Sequence, residues 1–475
     1  MSTVTEQSLP LHAWTASSLA DAYRCRALSP VEVTRAVLDH IAQWEPHLCA
    51  TYLLRPEQAL DSARDSESRW FKKEPLSAID GIPFTIKDNI ATQGDRTPLG
   101  TRATDNSPPA LRDAPPAARM REAGAVLISK TTMPDYGMLT SGVSSFHPLA
   151  RNPWDLRKTP GGSSAGAAAA AAAGYGPLHV GTDIGGSVRL PAGWCGIFGL
   201  KPSLGRIPID PPYTGRAAGP MTRTVGDAAL MMQALSWPDE RDSMSLPFEA
   251  IDWGSFDTPL TQLDGVRIGL LMDAGCGLPV DPEVHFAVQR TALLLESAGA
   301  IVTPMQPFLT REMLDGMDHA WRMRSHIDLA DLSEERRSSV LPYIRAWADS
   351  AAGMSGAAVF KAMSQFHATR VATVQACNAF DYVISPTAPI AAYDAELPSP
   401  TNDPLRPLEH IAFTVPFNMS EQPAASINCG YTQSGLPIGL QIAGRRFDDL
   451  GVLQVSHAIE VLRGPQRPWP QPPNA

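Results

Sequence analysis

In the stretch SPVEVTRAVLDHI at residues 29–41, Val33, Val37 and Ile41 recur every four positions among polar neighbours. That recurrence lines up one apolar stripe on an α-helix. Ser29 and Glu32 supply a capping box and Pro30 takes the first helical position, so the same stretch also specifies where the helix begins. Residues 1–60 read as helices of this kind. The pattern then shifts to short apolar runs: IPFTIKD, GAVLIS, VRIGLL, GAIVTPM, DYVISPT, AASINC and GLQIAG. Each is too short for a stable helix and predicts a strand. Helical segments lie between them. DPEVHFAVQRTALLLESAG is capped by Asp281, carries Pro282 in its first turn and stops at Gly299. Strands alternating with helices predict an α/β fold, a large, mostly parallel or mixed sheet covered by helices.

No internal repeat and no linker-like change of composition divides the chain, so residues 1–475 read as one domain. Residues 310–375 leave the strand rhythm and predict a helical cap over the sheet. The proline-rich tail at 464–475 predicts a loosely ordered end. With 475 residues, 44% of them hydrophobic and 19% charged, the chain can bury a large core. A net charge of −10 argues against a general nucleic-acid binder. The six cysteines show no CxxC and no framework spacing, which predicts reduced thiols and neither a metal site nor disulfides. The N-terminal residues lack a secretory pattern and the seven-alanine run at 167–173 is too short to span a bilayer. A cytoplasmic protein that binds no membrane is the expectation.

Candidate chemistry concentrates in TPGGSSAGAAAAAAAGYGPLHVGTDIGGSVRLP, residues 159–191. A serine hydroxyl needs a base to become a nucleophile, and the oxyanion it creates needs preorganised donors. In DIGGSV, Gly185 and Gly186 let the backbone approach a ligand, so the N–H groups from Ile184 to Ser187 can converge on one oxygen. In GGSSAG, Ser163 and Ser164 precede an alanine helix whose N-terminus carries partial positive charge. Three other readings compete. Gly162–Gly166 matches GxSxG, the nucleophile elbow, with Ser164 as nucleophile, but NPWDLRKTP ahead of it is a poor strand. A phosphate loop would need GxxxxGK[ST], which is absent here. The third reading makes the glycines simple turns.

The whole of 159–202, ending SVRLPAGWCGIFGLKPS, resembles the signature segment of the amidase signature family. GIPFTIKDNI upstream resembles that family's lysine-bearing strand. NPWDL, GPMTRTVGDAALMM, PTAP and GLPIGLQIAGRRFDD resemble further blocks, so the resemblance spans residues 15–465. It implies a single α/β/α domain around a large twisted mixed sheet, with no cofactor and no metal. It implies Ser187 as nucleophile, Ser163 as a bridging serine preceded by a cis peptide, and Lys87 as the base. Ile184, Gly185 and Gly186 would form the oxyanion hole. Lys87 must be neutral to accept a proton, so it should be buried, with Asp88 turned away from it. Lys130 reads as scaffold, Cys195 as core, Ser164 as a helix-start or Ser163-steadying group, and Asp183 with Arg189 as an ion pair bracing the turn. Ala165, Ala167 and Glu421 depart from the usual pattern, Glu421 standing where glycine is common.

Three stretches are candidate pocket walls: residues 136–142, with Gly137, Met138 and Leu139 beside the nucleophile; the loop 207–219; and the helices at 310–375. Ile184 gives GTDIGGS, nearer to fatty acid amide hydrolase than to the SDTGGS of tRNA-linked glutaminases. The expected activity is therefore stand-alone hydrolysis of aryl or alkyl amides, extending to carbamates and esters, on a small-molecule substrate, with a homodimer allowed for. The alternatives are the glutaminase subunit of a tRNA-dependent amidotransferase, working with partner subunits, and a non-catalytic binding protein on the same fold.

Overall fold

All eleven strands found among the described residues join one sheet. The computed structural model describes residues 9–254 and 263–473. The strands are β1 (Thr51–Leu54), β2 (Pro83–Lys87), β3 (Val126–Thr131), β4 (Leu178–Asp183), β5 (Phe198–Lys201), β6 (Ala217–Thr222), β7 (Arg267–Leu270), β8 (Ile301–Pro304), β9 (Tyr382–Pro386), β10 (Ala424–Tyr431) and β11 (Pro437–Ala443). Their order across the sheet is β1-β3-β2-β4-β6-β5-β10-β11-β9-β7-β8. β3-β2-β4 and β9-β7-β8 run parallel, and every other neighbouring pair is antiparallel. The sheet is mixed, and all seven apolar runs of the sequence lie in it.

Helices cover both faces because successive side chains of a strand point to opposite sides. Ile384, Ala425 and Ile442 join one apolar cluster with the helices Pro30–Leu48, Val225–Leu235, Pro282–Ser297 and Asp449–Leu462. Their neighbours Val383, Ala424 and Ala443 join a second cluster, with Met317, Trp321 and Trp347 from the helices Arg311–Ala330 and Pro342–Asp349. The Ser29–Glu32 capping box is formed, and Asp281 accepts from the Glu283 N–H at 2.8 Å. Among the described residues no helix is long and apolar enough to cross a membrane.

Four strands were not legible in the pattern. β1 interrupts the expected N-terminal helices as a four-residue edge strand, antiparallel to β3. β4, β5 and β6 sit centrally yet carry few branched residues. In β6 (AAGPMT), a Cβ on Gly219 would stand 1.9 Å from the Leu200 carbonyl oxygen, so close strand packing demands glycine there. Low β-propensity is overridden by the tertiary fit. The last three residues of the expected 207–219 loop therefore belong to a central strand. Within the described part of the tail, Trp469 lies against the body of the protein. It packs against the alanine-rich core, tilts on Trp154, and receives the Arg223 guanidinium 4.6 Å from its ring centre.

Candidate active site

β2 and β4 are adjacent and parallel, with Ile86 opposite Val180. Their C-terminal ends deliver Lys87 and the 184–187 turn to the same edge of the sheet, where open α/β folds place ligands. The helix Ala165–Ala173 brings the other serines there. All nine of its residues are buried, the mark of a helix apolar on every side. Small side chains are obligatory in it: a Cβ on Gly166 would lie 2.2 Å from the Ala50 carbonyl oxygen. The alanine run is a device for close packing.

Lys87 Nζ donates to Ser163 Oγ at 2.8 Å and to Thr182 Oγ1 at 3.0 Å. Asn89 Nδ2 donates to the same Thr182 hydroxyl at 3.0 Å. The Lys87 side chain is fully buried, and that burial pushes its pKa down to about 7. Asp183 opposes the shift and Arg216 adds to it. Asp88 faces elsewhere, accepting from the Gly100 N–H at 2.7 Å with His147 Nε2 3.2 Å away. The Gly162–Ser163 peptide is cis. Gly137, at φ +70°, abuts Ser163, and a Cβ there would come within 3.2 Å of Ser163 Oγ.

Asp183 organises the second cluster. Arg189 donates to it through Nε at 3.0 Å and Nη2 at 2.9 Å, both side chains being completely buried. Asn418 Nδ2 adds a bond at 2.8 Å, and the N–H groups of Gly186 and Val188 add bonds at 2.8 and 3.1 Å. Burial works against the ionised carboxyl, but the Arg189 guanidinium and these donors hold it well below the usual carboxylate range. This revises the expected oxyanion nest. The Gly186 N–H is committed to Asp183, whereas those of Ile184, Gly185 and Ser187 meet no acceptor among the described residues. The Gly185–Gly186 peptide is clamped from both sides, because Thr414 Oγ1 donates to the Gly185 carbonyl at 2.6 Å. Gly186 must be glycine: its φ is +127°, and a Cβ would meet Thr414 Oγ1 at 2.5 Å.

The two serine clusters are tied through backbone, the Ser164 N–H donating to the Ser187 carbonyl at 3.2 Å. Ser187 is half-buried and its Oγ makes no hydrogen bond to a described group. Ser164 makes no capping bond at the helix start. Its Oγ instead donates to the Thr182 carbonyl at 3.2 Å and accepts from the Thr182 N–H at 3.3 Å, fastening the helix to β4. The described residues just before it form no strand, so the elbow geometry is absent.

Ser187, Ile184 and Gly185 open into a cleft of about 510 Å³, part of it open to solvent. Gly137, Met138, Leu139 and Thr140 form one wall, and Leu190, Trp321, Trp347, Leu408 and Ile411 the rest. Trp321 rests against the turn, 3.8 Å from where a Cβ on Gly185 would be. Trp347 is oriented by its Nε1 bond to Asp318 at 2.8 Å. Among the described residues, Arg324 is the only charged member of the lining. The 207–219 segment reaches the cleft through Tyr213, whose ring lies 4.2 Å beneath the Arg324 guanidinium. Of the groups that sequence reasoning missed, Asn89 was within reach, two residues past Lys87. Thr414, Asn418 and the two tryptophans come from remote segments with no local signal.

Elsewhere, the Lys130 ammonium is buried on β3 without a partner among the described residues, and Cys195 is core. Glu421 adopts φ +66°, a left-handed conformation natural for glycine, and forms ion pairs with Arg370 and Arg446.

Comparison with known proteins agrees with the fold. The family model described as Amidase matches residues 32–453. A curated relative from Moorella thermoacetica, one of the subunits of a glutamyl-tRNA(Gln) amidotransferase, is 33% identical over 95% of this chain and 97% of its own. A bacterial aryl acylamidase of the amidase signature family superimposes with a TM-score of 0.87 at 29% identity, covering 96% of this chain and 97% of the other. The corresponding glutamyl-tRNA(Gln) amidotransferase subunit of Thermotoga maritima gives a TM-score of 0.77 at 26% identity, covering 98% and 99%.

Proposed function

Because this chain belongs to the amidase signature family, we propose that its Ser187 hydrolyses a carbon–nitrogen amide bond through an acyl-enzyme. The observation that carries the proposal is the 2.8 Å contact between Ser163 and a buried Lys87 whose pKa is lowered to about 7. Neutral Lys87 takes the Ser163 proton while Ser163 takes that of Ser187, and Ser187 Oγ attacks the carbonyl carbon. The free N–H groups of Ile184, Gly185 and Ser187 are available to the oxyanion. Collapse expels the amine, which receives its proton back through Ser163. Water then repeats the sequence on the ester. Ser187 and Ser163 share no hydrogen bond here, and catalytic contacts of this kind commonly tighten only when substrate arrives.

Two substrates are in contention. The curated relatives favour glutamine, cleaved to supply ammonia within a tRNA-dependent amidotransferase, since the chain matches almost the full length of a protein bearing that name. This reading replaces stand-alone aryl amide hydrolysis as the first choice, and it calls for partner subunits. A specific observation keeps the stand-alone reading as the second. The cleft wall is apolar and indole-rich and carries, among the described residues, no carboxylate for the ammonium of glutamine, and the higher TM-score is with an aryl acylamidase.

The deciding experiment measures turnover of glutamine, an acyl anilide, an aryl carbamate and an ester by the purified chain and by Ser187→Ala. Glutamine cleavage that is weak alone and rises with added partner subunits supports the first reading. Anilide, carbamate or ester cleavage by the chain alone, lost in Ser187→Ala, supports the second. Turnover that survives Ser187→Ala on every substrate would overturn both.

A further inference from the structure

Arg324 is out of keeping with the cleft it lines. Every other lining residue is apolar, a glycine, or a small hydroxyl residue. Its ion-pair partner is weak: Asp328 Oδ2 lies 3.5 Å from Arg324 Nε, and the side chains are 40% and 53% exposed. Pairs of this kind contribute little. The Tyr213 ring covers one guanidinium face and fixes its plane. A second guanidinium stands nearby. Arg216 is mostly buried, donates to the Pro211 carbonyl, and leaves Nε buried without an acceptor among the described residues. Arg216 belongs to the same turn as Tyr213, its N–H donating to the Tyr213 carbonyl at 3.0 Å. No carboxylate is found among the described residues that line the cleft.

Trp321 lies against Gly185, and Arg324 follows one helical turn later on the same helix, Arg311–Ala330. A ligand whose carbonyl oxygen occupies the 184–187 turn passes along the indole and arrives at Arg324. We infer that the cleft is built for an amide whose acyl part ends in a carboxylate, held by Arg324, across an apolar spacer against Trp321. The inference rests on the amide-hydrolase reading and names the substrate class for it. It applies to either contender, because a carboxylate on the acyl part is compatible with glutamine and with a dicarboxylic monoamide.

The test compares glutaryl p-nitroanilide with pentanoyl p-nitroanilide, acyl chains of equal length with and without a terminal carboxylate. Wild type is expected to prefer the glutaryl substrate in kcat/KM by about tenfold, the scale of one partly exposed charge-assisted contact. Arg324→Met should bring the ratio toward one, chiefly through KM, and Arg324→Lys should restore part of it. A wild-type ratio at or below one, or a ratio that Arg324→Met leaves in place, overturns the inference. Calorimetric binding of the same two compounds to Ser187→Ala separates this from the hydrolase reading. Charge-selective binding that Arg324→Met abolishes upholds the subsite even if neither anilide is cleaved. Cleavage without charge selectivity upholds the hydrolase and removes the subsite.

Discussion

The turn that holds Ser187 and the helical wall that faces it are built on opposite terms. The turn is tied down by fully buried polar bonds: Asp183 accepts from Arg189, Asn418, Gly186 and Val188, and Thr414 pins Gly185. The wall, on the helices Arg311–Ala330 and Pro342–Asp349, is held mainly by packing among Met317, Trp321, Ile344 and Trp347, with Trp347 also bonded to Asp318. The difference separates two tasks. An oxyanion site of the kind proposed tolerates almost no displacement, and the Gly185–Gly186 peptide is bonded on both sides. A pocket wall needs only shape, and its residues can be exchanged at the cost of stability and selectivity.

Substitutions can undo that division, and the largest effect is expected at the turn. Ser187→Ala should lower amide turnover on the order of 10⁴-fold or more, measured on any cleaved substrate. Ser164→Ala, which removes only the tether to β4, should retain most of it. The elbow reading requires the reverse.

Lys87→Met should cost roughly 10²- to 10⁴-fold and change the pH profile as well. In the proposed mechanism Lys87 acts as the neutral amine, so below its pKa of about 7 the protonated form accumulates and the rate falls with pH. Wild-type kcat/KM should therefore rise through neutral pH and level off on the alkaline side. The residual activity of Lys87→Met should lack that limb.

Asp183→Asn removes the carboxylate charge that faces a fully buried Arg189. Thermal or denaturant unfolding should show about 3–5 kcal/mol of lost stability, the scale for one side of a buried pair. Trp321→Ala should cost a comparable amount or less, within about 3–5 kcal/mol, by opening a cavity. Its distinguishing result is a changed ranking of acyl groups while the pH limb persists. If Trp321→Ala abolished the limb, wall and turn would not be separable.

The smallest effect concerns the lysine assignment. Lys130 lies on β3, beside β2, with Ile86 opposite it in the register, and is as buried as Lys87. Burial lowers the pKa of both. Only Lys87 has hydroxyl partners, whereas the Lys130 ammonium has none among the described residues. Lys130→Met should leave turnover and the limb within about twofold and should not lower stability, since an unsatisfied buried polar group is removed.

The same division explains what could be read from the chain. The turn was legible because its residues are contiguous and forced. Gly186 cannot carry a Cβ, Asp183 and Arg189 close a local loop, and Lys87 ends a strand whose apolar run was plain. Even there one detail escaped, since the capture of the Gly186 N–H by Asp183 depends on a side-chain rotamer. The wall was not legible. Trp321, Trp347 and Ile411 look like ordinary core residues in sequence, and only long-range packing brings them to Ser187. β4 and β6 were missed for a related reason: their Gly, Ala and Pro residues are chosen by neighbouring backbones, such as Leu200 against Gly219, and not by strand propensity.

Everything proposed for the site turns on Ser187, activated through Ser163 and Lys87, forming the covalent acyl intermediate. Trapping the chain with a slowly deacylating aryl ester and mapping the modified peptide by mass spectrometry tests this without intermediaries. We expect an acyl group on Ser187, forming more slowly in Ser163→Ala and Lys87→Met. An adduct on Ser164, or labelling of Ser187 that is indifferent to Lys87, would refute it.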